Sequence, residues 1–280
     1  MTPQFWASQW AASRAASVLR RTQEESPQRW REFYDAVAGL WDAMSGTRGG
    51  AYRAVAEILT GPGGPVRGKG TALEVGSGPG SLSLELARRG LRVTALDDSE
   101  GMQGELARRA RRNGIQGIRQ QRCPWTEFRP RRRFDLVTAA SFPAAWSPEG
   151  LERLESLSGG HCCLTVGVGG DPFPFRRMLW ERIMEDPLPS RSPALPFLFN
   201  WLLHSGRRPN LIHVTIPARL DVRLEGAVRF YAAYFAIFGH GGAAVERKIA
   251  STLGAHAPDG RLRARGASVT AVLWWRAPLS

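Results

Sequence analysis

Apolar and polar positions follow two alternating periodicities along the middle of the chain. Five short apolar runs have the length of buried strands, and they begin at Thr71, Leu91, Ile118, Phe134 and His161. Segments between them, such as SLSLELARR, carry apolar residues at helical spacing. Strands that alternate with helices in this way predict parallel βαβ units in a doubly wound α/β sheet.

The flanking segments have a different pattern. Residues 1–60 are rich in helix formers, and their tryptophans and other aromatic residues have amphipathic spacing, which predicts an N-terminal helical cap. The run GPGGPVRGKG, Gly61 to Gly70, cannot hold a helix or a strand interior, so it marks a boundary. From about 171 to 253 the alternation fails, and we expect a helical insertion around one strand-like stretch, Leu211 to Ile216.

The C-terminal segment RLRARGASVTAVLWWRA predicts an antiparallel hairpin that turns near Arg265 and Gly266 and closes the sheet edge. The expected architecture is therefore a mostly parallel seven-stranded sheet with an antiparallel C-terminal hairpin. It comprises the cap over residues 1–60 and a main domain over residues 71–280, which contains the insertion.

Composition excludes several classes of protein. With 280 residues, 43% of them hydrophobic and 22% charged, the chain falls in the range of globular domains and outside that of disordered, collagen-like or disulfide-stapled chains. The three cysteines, two of them adjacent at Cys162 and Cys163, fit neither a disulfide framework nor a zinc spacing. We expect no metal site and a reduced, cytoplasmic setting. No apolar run has the length of a membrane span, so no membrane partner is expected.

The formal net charge of +13 raises the question of nucleic-acid binding. Almost all the cations are arginines, with only Lys69 and Lys248 as lysines, a skew that favours coding bias over a specific partner. Six arginines fall at predicted helix C-termini, where we expect them at the sheet edge opposite the ligand crevice. They are Arg88, Arg89, Arg108, Arg109, Arg111 and Arg112.

The stretch LEVGSGPGSLSLELA, Leu73 to Ala87, is the most informative motif. A strand that runs into closely spaced glycines and then a helix exposes backbone N–H groups at the carboxyl edge of the sheet, which indicates a nucleotide-type pocket. The spacing is G-x-G-x-G, unlike the dinucleotide fingerprint, and no P-loop lysine follows. Asp97 ends the second strand 17 residues after Gly80, where a carboxylate can accept hydrogen bonds from both ribose hydroxyls. A structural turn and an NAD site are the competing interpretations of the loop.

With these residues the sequence resembles the class I S-adenosylmethionine-dependent methyltransferases, over roughly residues 70–170 and 261–276. The resemblance implies S-adenosylmethionine as cofactor and S-adenosylhomocysteine as product. It implies contacts of the glycine loop with the methionine part, of Asp97 with the ribose, of Met102 with adenine, and of the segment after the fourth strand with the sulfonium side. The expected cofactor-binding residues are Glu74, Gly76, Ser77, Gly78, Gly80, Asp97, Asp98, Met102, Trp125, Ser141 and Phe142.

Two positions depart from the family pattern. Asp98 stands where an apolar residue usually follows the ribose-binding carboxylate. The stretch after the third strand reads Cys-Pro-Trp-Thr-Glu, so either Glu127 or the backbone near Trp125 is expected to contact the adenine amine.

Methyl transfer from a sulfonium is an in-line displacement, so positioning and exclusion of water matter more than an acid or base. The catalytic residue is therefore unknown from sequence. Weak candidates fall in the insertion expected to cover the pocket: His204, Tyr231, Tyr234 and His240. Arg207 and Arg208 are candidate anchors for an acidic group of the acceptor.

After the fourth strand the chain reads SFPAAW, which lacks the signature of amino-group nucleic-acid methyltransferases, and it has no Pro-Cys dipeptide there. We expect a small-molecule acceptor. One alternative is an RNA methyltransferase, favoured by the charge. Another is a cofactor-binding regulatory module without catalysis, supported by Asp98 and Cys123. The oligomeric state stays open.

Overall fold

The computed structural model describes residues 1–46, 50–66, 68–189 and 194–278. Four parts of the sequence predictions reach beyond these ranges. Residues 47–49 of the expected cap, Arg67 of the expected boundary, residues 190–193 of the expected insertion and residues 279–280 of the expected main domain lie outside the described residues.

The N-terminal segment is helical, as the amphipathic pattern predicts. Thr2 and Ser17 accept hydrogen bonds from backbone N–H groups at the starts of the first two helices, and prolines begin the first and third. A short 3₁₀ turn, Ala38–Leu40, separates the third and fourth helices. The helices are α1 (Pro3–Ala15), α2 (Val18–Glu25), α3 (Pro27–Val37), α4 (Trp41–Ser45) and α5 (Gly50–Thr60).

Strands and helices alternate through the middle of the chain. They are β1 (Thr71–Val75), α6 (Ser81–Arg88), β2 (Arg92–Leu96), α7 (Glu100–Arg112), β3 (Ile118–Gln121), β4 (Phe134–Ala140), α8 (Pro148–Leu157) and β5 (Ser158–Gly167). The C-terminal part contains α9 (Phe175–Met184), α10 (Ala194–His204), β6 (Asn210–Arg223), α11 (Leu224–Ala236), α12 (Ala243–Gly254) and β7 (Arg261–Arg276).

Within the described residues these strands form one seven-stranded sheet in the order β3-β2-β1-β4-β5-β7-β6. The first five strands are parallel, and β7 pairs antiparallel with both β5 and β6, so the expected fold class is confirmed. The strand order reverses between β1 and β4, where neighbouring connections leave the sheet in opposite directions. A crevice for a ligand forms at the carboxyl ends of strands at such a point.

The turn predicted near Arg265 and Gly266 is wrong, because β7 runs through these residues without interruption. Arg265 pairs with Arg219 and Gly266 with Ala218 of β6, and the two strands are joined through α11 and α12. Gly266 has a packing role instead, since a Cβ there would lie 2.2 Å from the Pro172 carbonyl oxygen. The glycine permits close backbone approach inside a strand.

The sheet buries apolar side chains on both faces. One face packs against α1, α8 and α10, with Trp10, Cys162 and Trp275 at its centre. The other packs against α5 and α6 and includes Cys163. A separate aromatic core joins α3 of the N-terminal segment to α9, α11 and α12, so the cap and the insertion pack as one unit beside the sheet.

Candidate functional site

The glycine loop after β1 has a conformation that ordinary residues rarely adopt. Gly76 and Gly78 have φ angles of 65° and 52°, in the left-handed region. A Cβ on Gly76 would lie 2.2 Å from the Phe142 ring, so that position admits no side chain. A Cβ on Gly78 would meet nothing closer than the Met102 sulfur at 4.0 Å. Bare backbone at Gly78 therefore faces open space in the crevice.

Asp97, at the end of β2, is held by two backbone donors. Its Oδ2 accepts from the Gly78 N–H at 2.8 Å, and its Oδ1 accepts from the Ser99 N–H at 2.9 Å. Burial raises the pKa of the Asp97 carboxyl to about 6, against the opposing effect of these hydrogen bonds. The carboxyl group thus joins the glycine loop to the loop after β2.

Glu74, one residue before the end of β1, lies beneath the loop and is 2% exposed. Ser83 of α6 donates its hydroxyl to Glu74 Oε2. Burial, with a smaller effect from the negative charge of Asp97, raises the pKa of Glu74 to about 8. A carboxyl group with this pKa is largely protonated at neutral pH, so Glu74 serves as a neutral hydrogen-bonding group.

The end of β4 carries a strained residue. Ser141 has φ of 52° although it is not glycine, and its N–H donates to the Thr165 carbonyl oxygen at 3.1 Å and to Thr165 Oγ1 at 3.0 Å. The next residue, Phe142, packs on Gly76 and meets Trp125 edge to face, with ring centroids 5.9 Å apart. Strain of this kind is often retained where a chain shapes a binding site.

The segment after β3 contributes the Trp125 ring to the pocket. The Trp125 carbonyl oxygen accepts from Arg153 Nε at 3.1 Å and Nη2 at 2.7 Å. This carbonyl group is therefore already hydrogen-bonded within the protein. Glu127, the other residue suggested for the adenine amine, is not on the pocket wall.

The opposite wall of the pocket comes from the N-terminal segment. Trp30, Tyr34 and Trp41 lie over the crevice, and Tyr52 of α5 lies beside Ser141 and Glu74. Burial raises the pKa of both Tyr34 and Tyr52 above the usual tyrosine range, so their hydroxyl groups stay protonated. They act there as neutral hydrogen-bonding groups and not as bases.

Asp98, the departure from the family pattern, has a partner on this wall. Its Oδ2 accepts from Arg31 of α3, from Nε at 3.1 Å and from Nη2 at 2.9 Å. The acidic residue thus connects the sheet edge to the cap in place of an apolar contact.

These parts enclose a pocket of about 310 Å³. The wall includes ten of the eleven residues expected at the cofactor: Glu74, Gly76, Ser77, Gly78, Asp97, Asp98, Met102, Trp125, Ser141 and Phe142. Gly80 does not line it. It stands at the N-cap of α6 with φ of 76° and packs against Leu106.

The four catalytic candidates are not part of this wall. The His204 ring lies 2.8 Å from the Asn200 carbonyl oxygen and packs near Trp6. Tyr231 and Tyr234 are buried in the aromatic core of the insertion, and His240 follows α11 away from the pocket wall. The insertion supports α3 from behind, and α3 supplies the surface that faces the crevice.

The expectations for two individual arginines, Arg109 and Arg207, are wrong. Arg109 reaches the glycine loop, where it donates to the Pro79 carbonyl oxygen at 2.9 Å and pairs with Asp42 at 2.8 Å. Ser81, at the start of α6, donates its hydroxyl to Asp42 and accepts from Arg109, so these three side chains meet beside the glycine loop. Arg207 pairs with buried Glu155, with contacts of 3.0 and 2.6 Å, so it anchors α8 and not an acceptor.

The sequence did not single out Arg31, Tyr34 or Tyr52 for the site. A signal was present, because Trp30 and Tyr34 are four residues apart on one face of α3. That spacing predicts that one face of α3 packs against the protein, but it does not predict that the face lines a pocket.

Two features are absent from the described residues. No group of three or more histidine, cysteine, aspartate or glutamate side chains is arranged to hold a metal ion. No described helix has both the length and the apolar character needed to cross a bilayer.

Comparison with known proteins places the crevice in context. Residues 72–157 match a family model described as a methyltransferase domain. No curated protein matches the chain in sequence. Similar solved structures include magnesium protoporphyrin IX methyltransferase from Synechocystis PCC 6803 with bound S-adenosylhomocysteine, at 16% identity, a TM-score of 0.49, and coverage of 90% of this chain and 94% of that one. The YcgJ protein from Bacillus subtilis aligns at 15% identity and a TM-score of 0.47, over 83% of this chain and 98% of that one.

The matched segment contains the glycine loop, Asp97, Met102 and the strained end of β4. These residues lie together where the strand order reverses between β1 and β4, at the carboxyl ends of the strands. The resemblance in sequence implies this position. Residues 72–157 of this seven-stranded α/β sheet therefore match a methyltransferase domain, and they contain the crevice-lining loop and the carboxylate at the end of β2.

Proposed function

We propose that the protein transfers a methyl group from S-adenosylmethionine to a small-molecule acceptor in the pocket between the sheet and the N-terminal helices. The observation that carries the proposal is the composition of the two walls. One wall has bare glycine backbone and the Asp97 carboxyl group, and the facing wall has the aromatic side chains of the cap.

The residues present fit this cofactor. Gly78 presents backbone to open space, and among the described residues the Ser77 hydroxyl is buried with no hydrogen-bond partner. We assign Gly76, Ser77 and Gly78 to the methionine part of the cofactor and Asp97 to its ribose. When bound, S-adenosylmethionine supplies a methyl group activated on a sulfonium.

The remaining assignments concern the two ends of the crevice. Met102, 2% exposed and on the first turn of α7, would pack on adenine together with the Trp125 ring. Ser141 and Phe142 would line the sulfonium side, beside Tyr52. Glu74 would act from beneath the loop as a neutral group, and it would hold the loop through Ser83.

The protein's own contribution is to orient the acceptor and exclude water. The aromatic rings of Trp30, Tyr34 and Trp41 cover the crevice, so an acceptor beneath them is desolvated and held near the methyl group. Because the tyrosine hydroxyls on this wall stay protonated, they would orient the acceptor by hydrogen bonds.

The same wall favours a small molecule over RNA. An RNA base would have to enter beneath α3, which lies against the loop after β2. Two arginines beside the crevice are engaged by carboxylates, Arg31 by Asp98 and Arg109 by Asp42. These two cations are therefore not free to bind the phosphates of a nucleic acid.

The test uses S-adenosylmethionine labelled on its methyl group. The whole protein is incubated with the labelled cofactor and either a low-mass metabolite extract or total RNA, with Asp97→Ala as the matched control. We expect label in low-mass products with the natural protein and strong loss with the variant. Label in RNA would overturn the acceptor class. Cofactor binding with no label in either pool would favour a regulatory module.

A further inference from the structure

The loop between β2 and α7 makes contacts on two sides. On the crevice side, Asp97 binds the glycine loop through Gly78. On the other side, the same loop holds α3 of the cap through Asp35. The Asp35 Oδ1 atom accepts from the Ser99 hydroxyl at 2.6 Å and from the Gly101 N–H at 2.8 Å.

Ser99 connects the two sides directly. Its N–H donates to Asp97 Oδ1 at 2.9 Å, and its hydroxyl donates to Asp35 while accepting from the Met102 N–H at 3.1 Å. A shift of α3 therefore moves the residue that orients the Asp97 carboxyl group. Arg31, also on α3, pairs with Asp98 in the same loop.

The approach of α3 to this loop is a backbone contact. A Cβ on Gly101 would lie 2.7 Å from the Asp35 carbonyl oxygen and 2.9 Å from the Asp35 Cα atom. Gly104, one turn further along α7, has open space around it. The glycine at 101 thus permits a docking contact that no larger residue would permit.

We propose that Asp35 is a positioning residue for Asp97, so that docking of α3 and binding of the cofactor strengthen each other. The inference rests on the proposed function, in which Asp97 holds the ribose of the cofactor. Thermodynamic linkage makes such an effect reciprocal. If docking of α3 raises the affinity for the cofactor by some factor, binding of the cofactor raises the equilibrium constant for docking by the same factor.

The coupling has a consequence for the acceptor. Trp30 and Tyr34 lie on α3 and form the wall above the crevice. A cofactor-loaded protein therefore holds this wall in place more firmly than a free one does, which places cofactor binding before productive acceptor binding.

A matched pair of substitutions on α7 tests the coupling. Gly101→Ala and Gly104→Ala both replace glycine by a better helix former, and only the first collides with α3. Affinity for S-adenosylhomocysteine is measured by calorimetry. Docking is measured as the rate of trypsin cleavage in α2 and α3, which contain Arg20, Arg21, Arg29 and Arg31.

We expect the natural protein and Gly104→Ala to bind S-adenosylhomocysteine equally, and the ligand to slow cleavage of both. Gly101→Ala should bind about tenfold more weakly, a typical coupling factor, and its cleavage rate should respond little to the ligand. Circular dichroism confirms that each variant is folded.

A second pair tests Asp35 itself. Asp35→Asn keeps an oxygen acceptor for Ser99 and Gly101, so its affinity should stay within about threefold of the natural protein, whereas Asp35→Ala should lose about tenfold. Arg29→Ala serves as the control on the same helix. It removes a hydrogen bond from α3 to the Ile237 carbonyl oxygen, 3.2 Å long, and leaves the loop contacts in place.

The outcomes separate the two proposals. If the natural protein does not bind S-adenosylhomocysteine, the proposed function fails and the coupling fails with it. If it binds, and Gly101→Ala matches Gly104→Ala in both affinity and cleavage, the proposed function stands and the coupling is overturned. Equal affinity of Asp35→Ala and the natural protein would also overturn it.

Discussion

Asp97 is the residue at which the glycine loop, the sheet and the cap meet. Replacing it by alanine removes the acceptor proposed for the ribose hydroxyls and frees the Gly78 N–H. We expect the affinity for S-adenosylhomocysteine to fall by about 1–3 kcal/mol, the usual effect of losing hydrogen bonds to a charged group. Asp259→Ala, on an exposed carboxylate near β7, should leave the affinity unchanged. Equal affinities of the two variants would show that the ribose lies elsewhere.

Glu74 gives stability a pH dependence of definite sign. Its pKa is about 8 in the folded protein against a usual value near 4.5, so the folded state holds the proton more tightly. The free energy of unfolding should therefore fall as pH rises between these values, by up to about 1.4 kcal/mol per pH unit. Glu74→Gln keeps an acceptor for Ser83 without a charge, so its Tm should fall less between pH 5 and 8. Parallel Tm curves for the two proteins would show that Glu74 is not buried in this way.

Ser141 tests whether backbone strain serves the site. Its left-handed φ costs about 1–2 kcal/mol, which glycine would relieve, at the expense of the side-chain contacts to Thr165 and Tyr52. Ser141→Gly should leave Tm unchanged or raise it, while methyl transfer falls. Glu185, the other non-glycine residue with positive φ in the described ranges, ends α9 away from the pocket. Glu185→Gly should therefore raise Tm without changing activity. An unchanged rate of methyl transfer in Ser141→Gly would show that the backbone strain at Ser141 has no role in catalysis.

The sequence could bring most of the expected residues to one crevice because the motif is local, while their contacts with the cofactor stay predictions. The position of Asp97 follows from the end of β2, and that of Met102 from the first turn of the next helix. The role of Asp98 could not be predicted, since its partner Arg31 is 67 residues away in the chain.

At the scale of the elements, the turn from β1 into α6 depends on glycine. Gly80 has φ of 76°, and a Cβ there would lie 2.1 Å from Leu106 Cδ1 in the core. Gly90 has a similar φ of 87° and open space around it. Gly90→Ala should cost about 1–2 kcal/mol from the backbone alone, and Gly80→Ala about 1–3 kcal/mol more from overpacking. Urea denaturation of both variants measures the difference between their free energies of unfolding. Equal losses of stability would mean that Leu106 moves aside without cost.

The C-terminal strands show why the ends of strands were harder to predict from the sequence than the crevice residues. A glycine after alternating residues favours a turn, so Arg265 and Gly266 were expected to end a strand. The contact that overrides this preference lies across the chain, at the Pro172 carbonyl oxygen. Periodicity detects an apolar face, but it does not show which distant backbone approaches a glycine.

Tertiary packing decides which of the two aromatic segments forms the acceptor wall. The aromatic insertion was expected to cover the pocket. Its aromatic rings instead form a core among its own helices α9, α11 and α12, and this core packs against the side of α3 that faces away from the crevice. The helices near the N-terminus supply the wall instead. Which of two amphipathic segments faces a crevice depends on tertiary packing, so the aromatic pattern alone did not distinguish them.

The distribution of charge also emerges only at this scale. The net charge of +13 suggests nucleic acid when counted along the sequence. In the folded chain many arginines pair with carboxylates, including Arg31 with Asp98, Arg109 with Asp42 and Arg207 with Glu155. The crevice itself holds the acidic groups of Glu74, Asp97 and Asp98.

Calorimetric titration of the whole chain with S-adenosylmethionine and S-adenosylhomocysteine, with NAD as the control nucleotide, examines the pocket most directly. We expect both sulfur compounds to bind at one site per chain and NAD to give no binding heat, because the loop spacing does not suit a pyrophosphate. Binding of NAD in place of the sulfur compounds, or of none of the three, would contradict the assignment of this pocket to methyl transfer.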